Sequence, residues 1–102
     1  MQQNWKVTIQ DDGRTGIIEY WEEEKRIEFD WEIGGAKGII LIIGGPEPWD
    51  WDKSNPWAAG RRDEILNRVA TEAIRQRATY CVPDIHPRSG IFYIREKDSK
   101  PS

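Results

Sequence analysis

Cysteine and histidine are almost missing: the 102-residue chain holds one of each, Cys81 and His86. A lone cysteine closes no internal disulfide, which suits a reducing compartment, and it rules out a four-cysteine zinc site. A lone histidine rules out a paired-histidine metal site. Long apolar runs are also lacking. The longest, Gly38 to Gly45, falls far short of the roughly 20 residues a membrane span requires. Met1-Gln2-Gln3-Asn4 has no basic stretch leading into an apolar signal core, so neither insertion nor secretion is expected, and a cytoplasmic location is. Excess positive charge is missing too. The net charge is −3, whereas nucleic-acid readers are usually basic overall because phosphate neutralisation supplies most of their affinity. No repeat and no linker interrupts the chain.

What is present is aromatic and charged. Six tryptophans stand among eleven aromatics, enough apolar surface to build a core although 32% of the residues are charged. Residues 1–52 carry twelve acids against five bases, and residues 53–102 carry six against ten. Such a split fits two oppositely charged surfaces or an acidic face aimed at a basic partner, and equally a solvated exterior.

Trp5-Lys6-Val7-Thr8-Ile9 alternates with the period of a strand, and Asp11-Asp12-Gly13 with Gly16 turns the chain into Ile17-Ile18-Glu19-Tyr20-Trp21. Arg26 to Ile33 is the cleanest alternation: Ile27, Phe29, Trp31 and Ile33 share one face, and Arg26, Glu28, Asp30 and Glu32 the other. The apolar, β-branched run Ile39–Ile43 predicts a central strand. Pro46 to Ser54 reads as a loop, with two prolines and two tryptophans among acids. Ile65, Leu66, Val69, Ala70, Ala73, Ile74 and Ala78 recur every three or four residues and predict a long amphipathic helix from about Pro56 to Ala78, with Gly60 leaving open a start nearer Ala59. Val82 to Gly90 reads as a proline-bounded connection, and Ile91–Arg95 as a last strand. The expected fold is α+β: an antiparallel sheet of four to five strands in the order β-β-β-β-α-β, with one long helix packed on one face. A single domain spans 1–102, of which 96–102 is a flexible tail.

Chemistry-bearing constellations are sparse. Cys81 and His86 suggest a nucleophile and base, yet a connection containing Pro83 separates them and no oxyanion-hole glycine motif adjoins the cysteine; Cys81 reads better as a small apolar filler. Asp50-Trp51-Asp52 offers two hard oxygen ligands without the rest of a calcium loop. Glu28 and Asp30 form a carboxylate pair but lack the deep cleft that glycosidase chemistry uses. The glycine pairs lack the lysine spacing of a phosphate loop and read as turns. Arg61, Arg62, Arg68, Arg75 and Arg77 would suit a phosphate backbone, but they are interleaved with Glu64 and Glu72 as on a solvated helix face. Trp49, Trp51 and Trp57 are the strongest binding signal, because tryptophan is enriched in interface hot spots; the alternative is that they fold back onto the core, the better reading for Trp57.

The strand Ile18-Glu19-Tyr20, the strand Arg26-Ile27-Glu28-Phe29, a tryptophan after the central strand (Trp49 or Trp51) and the helix signature Arg62-Asp63-Glu64-Ile65-Leu66 together cover about two thirds of the chain. In these features it resembles the small immunity proteins of bacterial polymorphic and contact-dependent toxin systems. The resemblance implies a cytoplasmic protein that binds and blocks one toxin, commonly a nuclease or another enzyme, without cofactors or metal. The expected function is therefore a non-catalytic protein-binding module with a contact surface of Glu28, Asp30, Glu32, Trp49, Asp50, Trp51 and Asp52. A nucleic-acid-binding regulator using the arginine-rich helix is the alternative, and a small enzyme stands third.

Overall fold

The computed structural model describes residues 4–35 and 38–97. Its first four strands, β1 (Trp5–Asp11), β2 (Thr15–Glu22), β3 (Lys25–Ile33) and β4 (Ile39–Gly44), follow the alternation of the sequence and pair consecutively and antiparallel. The β1–β2 turn is set locally. Asp11 Oδ1 accepts the Gly13 N–H at 3.0 Å, and Gly13 takes φ +89°, a conformation that costs a residue without a side chain little.

The strand count and the helix differ from the sequence-based expectation. The sheet has six strands in the order β1-β2-β3-β4-β6-β5, because Cys81–Asp84 forms a strand, β5, that pairs with β6 (Ile91–Glu96). Pro83 is tolerated there since β5 is an edge strand. The expected helix from Pro56 to Ala78 is broken into pieces. A one-turn helix α1 (Trp51–Ser54) occupies part of the expected loop, Pro56–Ala58 is a 3-10 turn, and the main helix α2 spans Arg62–Arg77. Ala59 is extended and Gly60 has φ +76°, so the helix cannot run back to Pro56. Glu96 and Lys97, expected in the tail, are the end of β6 and a turn; 98–102 lie outside the described residues.

α2 lies against β1, β2 and β5 on one side of the sheet. Ile65, Leu66, Val69, Ala70 and Ala73 are buried in one cluster with Val7, Ile18, Tyr20, Ile27, Phe29, Ile43, Phe92 and Ile94 of the strands. Ile74, expected in the same stripe, is only half-buried. β4 lies between β3 and β6, a central position that explains its lack of polar residues.

At one edge of the helix–sheet interface the two halves of the chain are tied by charge. Arg61 donates to both Glu22 carboxylate oxygens, at 3.1 and 2.5 Å, and Arg68 reaches Glu22 at 3.3 Å and the Tyr20 hydroxyl at 2.7 Å. The Tyr20 hydroxyl in turn donates to Glu22, and Arg68 lies over the Trp5 ring, 5.0 Å from its centre. The hydrogen bond from Arg61 is the main cause that holds the Glu22 carboxyl below its usual 4.5. Burial, with the Glu22 carboxylate beside it, pushes the Tyr20 hydroxyl up to about 12.

Folded Glu22 therefore binds fewer protons than unfolded Glu22 between pH 4.5 and its depressed value, and stability is lost as the pH falls through that window. Glu22→Gln is expected to melt earlier than wild type at pH 7 and to lose less on acidification to pH about 2. Thermal melts across that range check this. The residual slope belongs in part to Glu64 and Glu72, whose carboxyls are lowered first by hydrogen bonds from Arg61 and Arg75. Equal slopes for wild type and variant would remove Glu22 from the linkage.

Candidate protein-binding surface

Among the described residues no helix lies on the second face of the sheet, and its composition follows from strand register. Lys6, Trp21 and Arg26 stand side by side across β1, β2 and β3, and the next row is Thr8, Glu19 and Glu28. Gln10, Ile17, Asp30, Gly44 and Ile91 form a third row, then Thr15, Glu32, Ile42, Tyr93 and Asp84 a fourth. The predicted carboxylates Glu28, Asp30 and Glu32 are therefore together, exposed, and in the middle of the face.

Their surroundings divide this face electrostatically. Lys6 Nζ and Arg26 Cζ sit 5.8 and 5.7 Å from the centre of the Trp21 ring, a cation–π arrangement that fixes the indole in the first row. Arg26 is also 2.7 Å from Glu19 and 4.0 Å from Glu28. Thr8 and Gln10 donate to Glu19 at 3.2 and 3.3 Å, so both Glu19 oxygens are engaged within the sheet. Asp30 and Glu32 make no ion pair among the described residues. Gly44 leaves the Asp30 side chain its place: a Cβ there would lie 2.8 Å from Asp30 Oδ1. On the far side Tyr93 is flanked by His86, edge-on with ring centres 5.3 Å apart, and by Arg95, 5.5 Å from its centre; Asp84 bonds Arg95 and lies 3.4 Å from His86 Nε2.

Comparison with known proteins yields no match, whether to a family model, a curated protein or a solved structure. The surface must be read from its own chemistry.

The tryptophan loop does not join this face as one unit. Trp51 is 1% exposed, and its Nε1 donates to the Ala58 carbonyl at 2.9 Å; it is part of the core and cannot be a surface anchor as it stands. Trp57 is half-buried against the core. Trp49 is 76% exposed, the most open large apolar side chain described. Asp50 accepts from the Ser54 hydroxyl at 2.6 Å and Asp52 from the Gly60 N–H at 2.9 Å, so both carboxylates brace the loop. Among the described residues no group of three or more His, Cys, Asp or Glu is placed to hold a metal ion, and no helix is long and apolar enough to cross a membrane.

Two other sequence-level candidates are dispersed. Cys81 faces the core, where burial pushes its thiol up, while His86 lies against Tyr93 on the opposite face, so they form no nucleophile–base pair. The helix arginines are engaged within the protein. Arg61 and Arg68 hold Glu22 and Glu64, Arg75 holds Glu72 at 2.7 Å, Arg77 holds Asp11 at 2.8 Å, and buried Arg62 donates to the Ser89 carbonyl. The residues missed by sequence reasoning are Lys6, Ile17 and Tyr93 of the uncovered face. Their signal is the period-two pattern of β1, β2 and β6, which becomes a surface only once the register is known.

Proposed function

We propose that this domain is a non-catalytic binding module that receives a basic protein surface on the uncovered face of its sheet. The observation that carries this reading is the pair Asp30 and Glu32, carboxylates that make no ion pair among the described residues, with exposed Glu28 beside them, on a face that also presents Trp21, Ile17, Ile42 and Tyr93. Apolar and aromatic groups supply desolvated contact, and acids select a cationic partner and speed its encounter. The resemblance to immunity proteins makes that partner a toxin enzyme with a cationic substrate cleft, a nuclease being the simplest case, and the cell interior its site of action. A nucleic-acid partner is disfavoured, since the helix arginines would first have to leave Glu22, Glu64, Glu72 and Asp11.

The test uses wild type and the triple variant Glu28→Lys, Asp30→Lys, Glu32→Lys as baits in a lysate of the source cells, followed by binding kinetics with the captured protein. Association of the triple variant should be slower by about tenfold or more and less salt-dependent, while its folding free energy stays within roughly 0.5 kcal/mol of wild type. Trp49→Ala should leave the melt unchanged and raise the dissociation rate, by an amount equivalent to about 2 kcal/mol if Trp49 is a hot spot. Unaltered association of the triple variant would leave the acidic face without a role.

A further inference from the structure

The ladder between β3 and β4 is shorter than β3 itself. Glu22 and Lys25 flank the two-residue turn Glu23–Glu24, where Glu23 has φ +57°, and the flanking residues of such a hairpin exchange both backbone hydrogen bonds. Every second residue of β3 from Lys25 onward therefore bonds toward β2, and the same parity puts the Ile33 N–H on the Arg14 carbonyl at 2.9 Å. Arg26, Glu28, Asp30 and Glu32 aim their backbone groups the other way, toward the line of β4. Gly44 and Ile42 stand opposite Asp30 and Glu32, and the Gly34 N–H donates to Ile40 at 2.9 Å. Arg26 and Glu28 have no strand beside them there, and among the described residues no backbone group bonds to theirs on that side.

The cause lies in the sequence. Continued register would set Pro46 opposite Glu28 and Pro48 opposite Arg26, and proline has no N–H with which to extend a ladder. β4 stops at Gly44, and by Trp51 the chain is in the core with α2. What remains is an open edge of β3 at two exposed residues. Carboxylates border it. Glu28 projects onto the uncovered face, and the Asp30 side chain leans over Gly44, with Oδ1 2.8 Å from where a Cβ would stand, on the line that β4 would have continued. Arg26, the cation of this edge, is taken up by Glu19 at 2.7 Å.

We propose that the open edge of β3 receives an extended segment of the protein partner, which adds itself antiparallel beside Arg26 and Glu28 and places a lysine or arginine opposite Glu28, on the same face and next to Asp30. The inference rests on the protein-binding reading above and adds the form of the partner's contact segment. Unpaired strand backbone selects an extended main chain, and the directly opposite cross-strand position is where an opposite charge stabilises the pair.

The probe is a capped hexapeptide of alternating lysine and valine, titrated into the domain and followed by NMR of the backbone amides. In the free domain the Arg26 and Glu28 amides should exchange quickly with solvent and those of Asp30 and Glu32 slowly; saturating peptide should protect the first two. In an antiparallel pair the residue opposite Glu28 shares its face and also aims its N–H at β3. N-methylation of the lysines should therefore weaken binding by about tenfold or more, whereas N-methylation of the valines should leave it nearly unchanged. Arg26→Pro, which removes a free N–H and no bond to β2, should also weaken binding, and Arg26→Ala should not. A glutamate–valine peptide should fail to bind. Slow exchange of Arg26 and Glu28 in the free domain, or binding indifferent to which residues are methylated, would overturn strand addition. Protection that rises with protein concentration in the absence of peptide would give the edge to a second copy of the chain and overturn the partner segment. The lysine triple variant with the captured partner tests the acidic face separately. Slowed association there without peptide binding at the edge would overturn strand addition and leave the face standing; peptide binding as expected with unaltered association would leave the edge standing without the face.

Discussion

Trp51→Ala is expected to cost the fold about 3–5 kcal/mol, the range for deleting a buried tryptophan or phenylalanine. Trp51 is among the largest fully buried side chains, and its indole hydrogen bond to Ala58 ties α1 to the 3-10 turn that follows. Alanine would leave a cavity and remove one of the two donors on the buried Ala58 carbonyl, which keeps the Arg61 N–H at 3.0 Å. Trp51→Phe separates the two effects, because it keeps most of the apolar volume and loses one donor to a carbonyl that retains another, at about 0.5–1.5 kcal/mol. Against a total stability of about 5–15 kcal/mol for a domain, the alanine variant should show a large drop in urea midpoint. A midpoint close to wild type would mean that the connection between β4 and α2 is not part of the cooperative core.

Leu66→Ala is expected to cost about 2–5 kcal/mol, and Ile74→Ala distinctly less, although both belong to the same helical stripe. Leu66 is 2% exposed inside the main cluster, whereas Ile74 packs against it from a half-buried position. Denaturation midpoints of the two variants decide the matter. Equal losses would place both under the sheet and contradict the burial found here.

The contrast between these two residues shows where sequence reasoning reaches its limit. A period of three and four identifies the stripe in α2, but which members lie deepest depends on the curl of the sheet below. The acidic row Glu28, Asp30 and Glu32 was legible because one strand carries it and a period of two suffices. Trp49 and Trp51 were not distinguishable, since both sit among the same prolines and acids. What separates them is one helical turn after Asp50 and the position of Ala58, seven residues away from Trp51. β5 was hidden for a similar reason: four residues that include a proline have little strand signal, and their order comes from pairing with β6. The Glu22 network had no local signal at all, because its partners Arg61 and Arg68 are 39 and 46 residues away.

The strand order has an entropic consequence. Within the described sheet, β1 to β4 and the β5–β6 pair are joined through neighbours in sequence, and only the seam between β4 and β6 reaches across the helical connection. That seam alone must close a long loop, and closure entropy grows slowly with length, by about 0.6 kcal/mol for each doubling. Added length in that connection is therefore cheap wherever it disturbs no packing. The junction at Ala59 and Gly60 exposes both residues, so an insertion there has only to keep the Gly60 N–H on Asp52 and the Arg61 N–H on the Ala58 carbonyl, while one in the stretch holding Trp51 a few residues earlier would disturb the core. One short connection thus combines an exposed junction held by backbone donors with one of the points least tolerant of substitution.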